Sequence, residues 1–426
     1  MENKNLNRRH FLSAATAIGA SLPLYAFSKD TAQHHNLLSM WENQKIHLDK
    51  GSETGVIVST HPERGHYRTM DFKSDVEAVQ TAYDEMMINP DLPKTLILDS
   101  SKRPFEFDGY LDIWQSKCRI TATGGTTIVP KKDYKGPLIQ STIRKETEVG
   151  EDNLISNVII DNIWLDGRNQ SLGIKLRHIQ ESTFHSIHVR STNGPALWLS
   201  DCVIENMFSN IILSDNCGSE NEPALLIRPE NIEITKQKRT GNLTANSTQF
   251  SGLLIHFPTN AAIHIDCGGH IKDLGKRQRK IQFVGSMLHG HPRQTKPLVT
   301  LSETQEISFV GTQMLTGSKD ELTILQMGIE GELPVGNTLI SHCFFYDYGS
   351  RNTTGIDVIN IDLNAPILSV FGNSFGIRNG ETGWLKHAVN WGKQKNKRAS
   401  WQANLVGTNK EPHIGVMPVS ADVLPF

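Results

Sequence analysis

Two histidines lie within short apolar segments in the middle of the chain, His256 in "GLLIHF" and His264 in "AAIHID". An imidazole can act as a general base near neutral pH, and a guanidinium can stabilise a carboxylate as it gains enolate character. Arg228, Arg190 and His188 lie on or beside similar apolar segments and supply the same groups. We predict these five residues as catalytic, in proton abstraction beside a carboxylate, with no metal ligand and no cofactor.

Short apolar strands of this kind recur along the chain and would position these side chains. They begin at residues 173, 196, 224, 252, 298, 322 and 384. Most of the intervals suit one or two coils of ~20–30 residues, with a second strand in each coil such as "SIHV", "NIIL", "NIEI" or "AIHI". A propeller or jelly roll would favour Asn-Gly and Asp-Gly hairpins, which are nearly absent. The pattern predicts an all-β fold, a single right-handed parallel β-helix.

The coil pattern also predicts which outward side chains are neighbours. Alternate strand residues point inward, and equivalent outward residues of stacked coils form columns spaced about 4.8 Å apart. Aligning the strands that begin at 173, 196, 224 and 252 places Arg177, Arg228 and His256 in one column. Aligning the second strands places Glu233 beside His264. We therefore expect Arg228 to neighbour His256, and the charged columns to line one cleft.

The same columns contain residues suited to binding a sugar. Trp198 lies between two inward leucines, so its indole points outward, where it can stack on a sugar ring. Glu233, Asp266 and Arg177 provide groups that hydrogen-bond to hydroxyls or carboxylates. We predict these four as substrate-binding residues.

The chain begins with a pattern that indicates export. Arg8 and Arg9 precede Phe11 and Leu12, and a weakly apolar Ala/Gly/Ser stretch follows. This resembles a twin-arginine signal, which implies that residues 1–28 are a signal peptide and that the protein is periplasmic or secreted. The stretch is too short and too weakly apolar to span a membrane stably.

The segment that follows the leader divides into two parts. We interpret residues 29–70 as a linker or N-terminal extension, and residues 71–426 as the β-helix domain. Apolar residues at helical spacing from Ser74 to Met87 predict a helix, with Ser74 and Glu77 forming a capping box. A helix followed by strands and a Gly-Gly-Thr turn resembles the N-terminal cap of right-handed parallel β-helix proteins, which covers the open end of the core.

The net charge argues against a general nucleic-acid-binding protein, and the cysteine pattern argues against a disulfide-stabilised one. The 426 residues include 43 basic and 45 acidic side chains, a net charge of -2, so there is no general attraction to nucleic acid. The five cysteines show no CxxC pair, and we expect buried thiols rather than a disulfide framework. The sequence is compatible with both a monomer and a homo-oligomer.

An exported, pectate-lyase-like β-helix resembles bacterial enzymes that act on polysaccharides. The resemblance implies an anionic oligosaccharide or polysaccharide as partner, ulvan- or pectin-like. The reaction that suits the predicted residues is β-elimination at C4–C5 of a uronate, by a lyase or by a non-reducing-end dehydratase. One alternative is an inverting or transglycosylating hydrolase with paired carboxylates, drawn from Asp201, Asp215, Glu233 and Asp266. Another is a solenoid that only binds glycan.

Overall fold

A computed structural model describes most of the chain between residues 54 and 406. The described ranges are 54–142, 154–230, 244–268, 277–318, 322–329, 335–348, 356–361, 367–375, 385–390, 398–402 and 404–406. They belong to one compact unit, Ser52–Phe426. Its strands pair in parallel and wind into a right-handed β-helix with three faces, which confirms the predicted fold.

Face 1 is a parallel sheet that extends along the whole described solenoid. Its strands are β1 (Val56–Ser59), β2 (Tyr67–Arg68), β3 (Thr95–Asp99), β6 (Arg119–Ala122), β10 (Ile159–Asp161), the first halves of β14 (Thr183–Arg190) and β17 (Met207–Ser214), β19 (Gln249–Ser251), β22 (Gln278–Val284), β25 (Thr304–Val310), β28 (Thr338–Ser341), β31 (Ile367–Phe371) and β34 (Arg398–Gln402).

From β10 onward face 2 continues from face 1 after a bend of one or two residues, whereas four or five residues separate the two faces in the first coils. Its strands are β4 (Phe105–Phe107), β7 (Thr127–Pro130), β11 (Trp164–Asp166), the second halves of β14 and β17, β20 (Leu254–His256), β23 (Met287–His289), β26 (Gln313–Thr316), β29 (Phe344–Asp347), β32 (Ser374–Phe375) and β35 (Leu405–Val406).

Face 3 is a separate parallel sheet, and a short three-stranded sheet adjoins it. The strands of face 3 are β5 (Leu111–Ile113), β8 (Pro137–Ser141), β12 (Leu172–Leu176), β15 (Leu197–Leu199), β18 (Leu225–Ile227), β21 (Ile263–Ile265), β24 (Val299–Leu301), β27 (Leu325–Met327), β30 (Ile356–Ile361) and β33 (Leu385–Asn390). The short sheet comprises β9 (Ile155–Ser156), β13 (Ile179–Gln180) and β16 (Val203–Ile204).

A column of phenylalanines runs through the core beneath face 1. The rings stack with centroid separations of 4.6, 4.7, 5.0 and 4.9 Å along Phe184, Phe208, Phe250, Phe283 and Phe309. These side chains are fully buried or nearly so, and burial of apolar surface is the main stabilising contribution to such a core.

In each coil of this column, the chain bends from face 1 to face 2 two residues after the phenylalanine. The residue at the bend has a positive φ, between 50° and 70°, in successive coils. Only Gly adopts this conformation without cost, and Asn and similar short polar residues tolerate it. The bend residues are Ser186, Asn210, Gly252, Gly285, Gly311, His342 and Gly372.

Helix α1 (Asp75–Ile88) packs on the first strands and confirms the predicted capping helix. Ser74 Oγ accepts a hydrogen bond from the backbone N–H of Glu77, 3.3 Å away. The Glu77 carboxylate accepts from the N–H of Lys73 rather than Ser74, so the capping box is shifted by one residue at its return bond. Val79, Ala82, Tyr83 and Met86 are among the helix residues buried against the core.

The solenoid begins before residue 71, so the predicted linker boundary is wrong. Strand β1 pairs in parallel with β3, and the inward side chains of Val56 and Val58 are buried. The apolar alternation in "VIVS" covers only four residues, so the sequence pattern does not distinguish it from a linker. Its pairing with β3 shows that it is a strand. The predicted twin-arginine signal lies outside the described residues.

All five cysteines are free and buried, as predicted. Burial raises the pKa of Cys217 to about 12 and of Cys118 to about 11, so both remain thiols near neutral pH. None of the helices among the described residues combines the length and apolar character needed to cross a bilayer.

Candidate active-site groove

The five predicted catalytic residues lie on two different faces of the solenoid. His264 is on strand β21 of face 3, and Arg228 directly follows strand β18 of the same face. His188 and Arg190 are in the face 2 half of β14, and His256 ends strand β20 of face 2. The prediction that they line one cleft is therefore wrong.

The predicted pairing of Arg228 with His256 is also wrong. Strand β20 stacks on β17 and β23, so that Ser214 and His289 flank His256. Strand β21, which contains His264, takes the place next to β18 that the prediction gave to β20. Glu233, the predicted neighbour of His264, lies outside the described residues.

The error has a physical cause, because inward apolar alternation is the same on every face. "GLLI" and "ALLI" both bury their second and fourth residues, and this shared pattern does not indicate on which face of the solenoid each strand lies. The flanking residues do carry that information. Phe250 and the left-handed Gly252 precede β20, as Phe208 and Asn210 precede the face 2 half of β17. Pro223, in contrast, comes just before β18 of face 3.

Asp266 is the centre of a charged cluster on face 3. Arg228 donates two hydrogen bonds to it, Nε to Oδ1 at 2.6 Å and Nη2 to Oδ2 at 2.7 Å. His264 Nε2 lies 3.0 Å from Oδ2, within ion-pair distance, although the ring N–H is not aligned with that oxygen. The Asp266 side chain is only 2% exposed. The pair is therefore a bidentate contact between a buried carboxylate and a partly exposed guanidinium, with an imidazole beside it.

The charge state of Asp266 follows from these contacts. Burial by itself would raise the pKa of Asp266. The two hydrogen bonds from Arg228, together with the His264 imidazole beside the carboxylate, outweigh burial and hold the pKa of Asp266 well below its ordinary value. An ionised Asp266 can stabilise a positive charge on His264 when that ring takes up a proton. It also keeps the Arg228 guanidinium in a fixed orientation.

Trp198 points outward from face 3, as predicted, one strand away from Leu226. Its indole Nε1 donates to the backbone oxygen of Arg228 at 2.9 Å. The Lys175 ammonium lies 4.4 Å from the ring centroid, a cation–π contact, and 2.6 Å from Glu230 Oε1. The indole is therefore held in place and one side of it is covered by Lys175.

Arg177, predicted as a substrate-binding residue, forms ion pairs within the protein. Its Nε lies 3.3 Å from Oδ2 of the fully buried Asp201 and 3.7 Å from Oε2 of Glu230. A buried carboxylate requires a cation or hydrogen-bond donors, and Ser200 Oγ also donates to Asp201 at 3.0 Å. Arg177 thus neutralises Asp201 next to Glu230, which lines the Trp198 recess described below.

Two adjacent recesses form a groove along face 3. The Trp198 recess, about 590 Å³, is lined by Trp198, Glu222, Leu226, Arg228, Glu230 and Asp266, with other residues. The His264 recess, about 420 Å³, is lined by Glu222, Arg228, His264, Lys296, Thr300 and Gln326, with other residues. Glu222 and Arg228 border both, and His264 stacks between Leu226 and Thr300 of the neighbouring strands. The groove thus crosses several coils along the solenoid axis.

Sequence reasoning missed Glu222, Glu230 and Lys296. All three lie outside the strands, in turns whose side-chain direction no periodic pattern indicates. One signal was present, because Glu222 and Lys296 each precede a proline that leads into a face 3 strand.

The remaining predicted residues form a separate ridge on face 2. His188 Nε2 lies 2.8 Å from Ser214 Oγ, and Arg190 pairs with Asp166 at 2.9 Å. Burial and the nearby Arg190 lower the pKa of His188. His256 instead packs on another histidine, with ring centroids 5.0 Å apart. These contacts are with residues of face 2 and not with the groove.

No family model and no curated sequence matches the chain. Among solved structures, ORF18 of Geobacillus virus E2 gives a TM-score of 0.56 at 14% identity, over 91% of this chain and 65% of that one, just under two thirds of its length. The alginate lyase of Paenibacillus sp. str. FPU-7 gives 0.50 at 12% identity, over 78% and 95%. The surface adhesin PfbA of Streptococcus pneumoniae gives 0.55 at 9% identity, over 85% and 94%. These likenesses show the β-helix fold, which an enzyme, an adhesin and a viral protein share.

Proposed function

We propose that the protein is an exported enzyme that cleaves a uronate-containing glycan by β-elimination, in the groove on face 3. The observation that supports this most is the contact of Asp266 with both Arg228 and His264 on the groove floor. It places a base, a group that stabilises the protonated base, and a cation within one cluster.

In the proposed reaction, His264 removes the C5 proton of the uronate. The C5–H electrons form the C4–C5 double bond as the C4–O bond breaks, and the departing oxygen takes up a proton from water. Asp266 stabilises the imidazolium that His264 becomes, and Arg228 stabilises the substrate carboxylate while it has enolate character. If the C4 substituent is a sugar the enzyme is a lyase, and if it is a hydroxyl at the non-reducing end it is a dehydratase.

The other predicted residues divide between this site and the rest of the surface. Trp198 offers the exposed part of its indole to a neighbouring sugar. Arg177 orders the charged network beside it. His188, Arg190 and His256 have no role in this reaction, because they lie on face 2.

We infer export and substrate class from different observations. The twin-arginine pattern of residues 1–28 supports a periplasmic or secreted protein. An ulvan- or pectin-like glycan is the proposed substrate. The alginate lyase of the same fold supports an anionic polysaccharide as ligand for such a scaffold.

A product assay tests the proposal. Purified protein is incubated with uronate oligosaccharides, and the ultraviolet absorbance of unsaturated uronate is followed. His264→Ala and Arg228→Ala should each lower the rate by ~10²–10⁴. His256→Ala is the matched control on face 2 and should keep the wild-type rate. Equal loss in the control, or wild-type rates in both groove variants, would remove the proposed site.

A hydrolase is the second candidate, because the carboxylates of Glu222 and Glu230 line the same recess. Two carboxyl groups across a glycosidic bond are what hydrolysis requires. Release of reducing ends without a rise in absorbance would favour it. Retention of glycan in a gel without any product would instead indicate a solenoid that only binds.

A further inference from the structure

The exposed apolar side chains of the coils are confined to faces 1 and 2. Among the described residues, nine large hydrophobic side chains are exposed by 37–65%. Three of them, Met70, Ile88 and Tyr110, lie near the N-terminal cap. The other six are outward residues of face 1 or face 2: Ile159, Trp164, Met207, Met287, Leu339 and Phe371. Single exposed apolar residues are ordinary, whereas their confinement to one side of a solenoid indicates an interaction surface.

Three outward positions in each coil form a continuous strip, which we call the uncharged surface. They lie one residue before, one residue after and four residues after the buried residue of the phenylalanine column, which continues as Ile340 and Val370. Backbone pairing aligns these positions through seven successive coils, from Thr183 to Ser374. None of the positions holds Asp, Glu, Lys or Arg, although 21% of the chain is charged. A soluble surface of this size would ordinarily have several charged side chains.

Charged side chains border the uncharged surface. Glu181, Glu205, Lys280 and Glu306 each lie three residues before the column residue of their coil, and all four are exposed. On the opposite border, on face 2, Arg190 is exposed as well. A centre without charges inside a charged rim is the usual composition of a protein–protein interface.

Polar groups within the uncharged surface already bind one another. His185 Nδ1 lies 2.8 Å from Ser209 Oγ of the next coil. At the bend, Asn210 donates from Nδ2 to Ser186 Oγ at 3.0 Å. These groups would keep their hydrogen bonds if the surface were covered, so the cost of removing them from water is low.

We propose that the uncharged surface is the contact between two copies of this chain, related by a two-fold axis. Near such an axis each residue faces its own copy, so a charged residue would meet a like charge, and an uncharged surface avoids this repulsion. A different protein could instead offer charges of opposite sign.

The size of the uncharged surface suits this contact. With coils about 4.8 Å apart and strand residues about 3.3 Å apart, it measures roughly 30 Å by 20 Å, or about 600 Å² per copy. Two copies would bury about 1,200 Å², the lower limit for a stable interface. Face 3 is not part of this surface, so the groove stays open in the dimer.

Sedimentation velocity over a range of protein concentrations tests the contact. The wild-type chain should reach the mass of two chains. Met207→Arg and Met287→Arg place a cation on the uncharged surface, where these side chains are 49% and 37% exposed. Each should raise the dissociation constant of the dimer at least about tenfold. Met70→Arg is the matched control, because Met70 is 65% exposed and lies near the cap, and it should associate as the wild type does.

A labelling experiment gives a second measurement that does not depend on the arginine variants. Ser251 is exposed on the uncharged surface, and the five native cysteines are buried, so in Ser251→Cys a maleimide should react mainly at the new thiol. Labelling should be at least about tenfold slower above the dimer dissociation constant than below it, because a covered thiol is inaccessible.

Circular dichroism checks that each variant retains the fold. A single-chain mass of the wild type at every concentration would overturn the proposal. So would wild-type association of both Met207→Arg and Met287→Arg, an equal loss of association in Met70→Arg, or labelling of Ser251→Cys that does not depend on concentration.

Discussion

His178 should make the stability of the solenoid depend on pH. It follows Arg177 at the turn after strand β12, with a φ of 52° and only 1% of its surface exposed. Neither ring nitrogen has a hydrogen-bond partner among the described residues. Burial, together with the adjacent Arg177, lowers the pKa of His178 from 6.5 to about 4.

The direction and size of the effect follow from the two pKa values. Between pH 6.5 and pH 4 the unfolded chain binds a proton at this histidine that the folded protein does not bind. The free energy of unfolding therefore falls as the pH is lowered through this range and is unaffected above it. At 1.36 kcal/mol per pKa unit, the difference amounts to about 3 kcal/mol at pH 4.

Urea unfolding followed by circular dichroism at pH 7 and pH 4 measures this contribution. His178→Asn removes the titration and keeps a residue that tolerates a positive φ. The difference in unfolding free energy between wild type and variant should shift by about 3 kcal/mol in favour of the variant between the two pH values. His185→Asn, an exposed histidine on β14, is the control and should shift little. An equal shift in both variants, or none in His178→Asn, would refute a buried neutral histidine.

Three further predictions concern the core, the bend and the groove. Phe250→Ala opens a gap in the phenylalanine column and should lower the free energy of unfolding by about 3–5 kcal/mol in urea titrations, with Phe250→Leu costing clearly less; equal costs would contradict the stacking. Gly252→Val forces a branched side chain into a φ of +68° and should lower the free energy of unfolding by about 1–3 kcal/mol. Asn210→Gly, at the same bend one coil earlier, should leave the free energy of unfolding nearly unchanged. Comparable losses in the two variants would contradict the left-handed bend. Asp266→Asn should lower the rate of unsaturated-product formation by ~10²–10⁴ with the fold retained by circular dichroism, and a wild-type rate would exclude its role in stabilising protonated His264.

The sequence predicted those features that depend on local pattern. Short apolar alternation with small polar turns indicated stacked coils, and helical spacing after Ser74 indicated the cap. The outward direction of Trp198 and His264 followed from the inward position of their flanking residues. The strands at Val56 and Tyr67 were missed, because a strand of two to four residues has too little pattern to stand apart from a linker.

What the sequence by itself determined is the class of fold and the inward or outward direction of residues such as Trp198 and His264 in the predicted strands, since both follow from the two-residue period of a strand. Only the tertiary structure decided which face each strand occupies. That depends on turn lengths, on the bend after the phenylalanine column and on stacking between coils separated by tens of residues. For this reason Arg228 contacts Asp266 rather than His256, and Glu222 and Lys296 reach the groove from turns that have no periodic pattern.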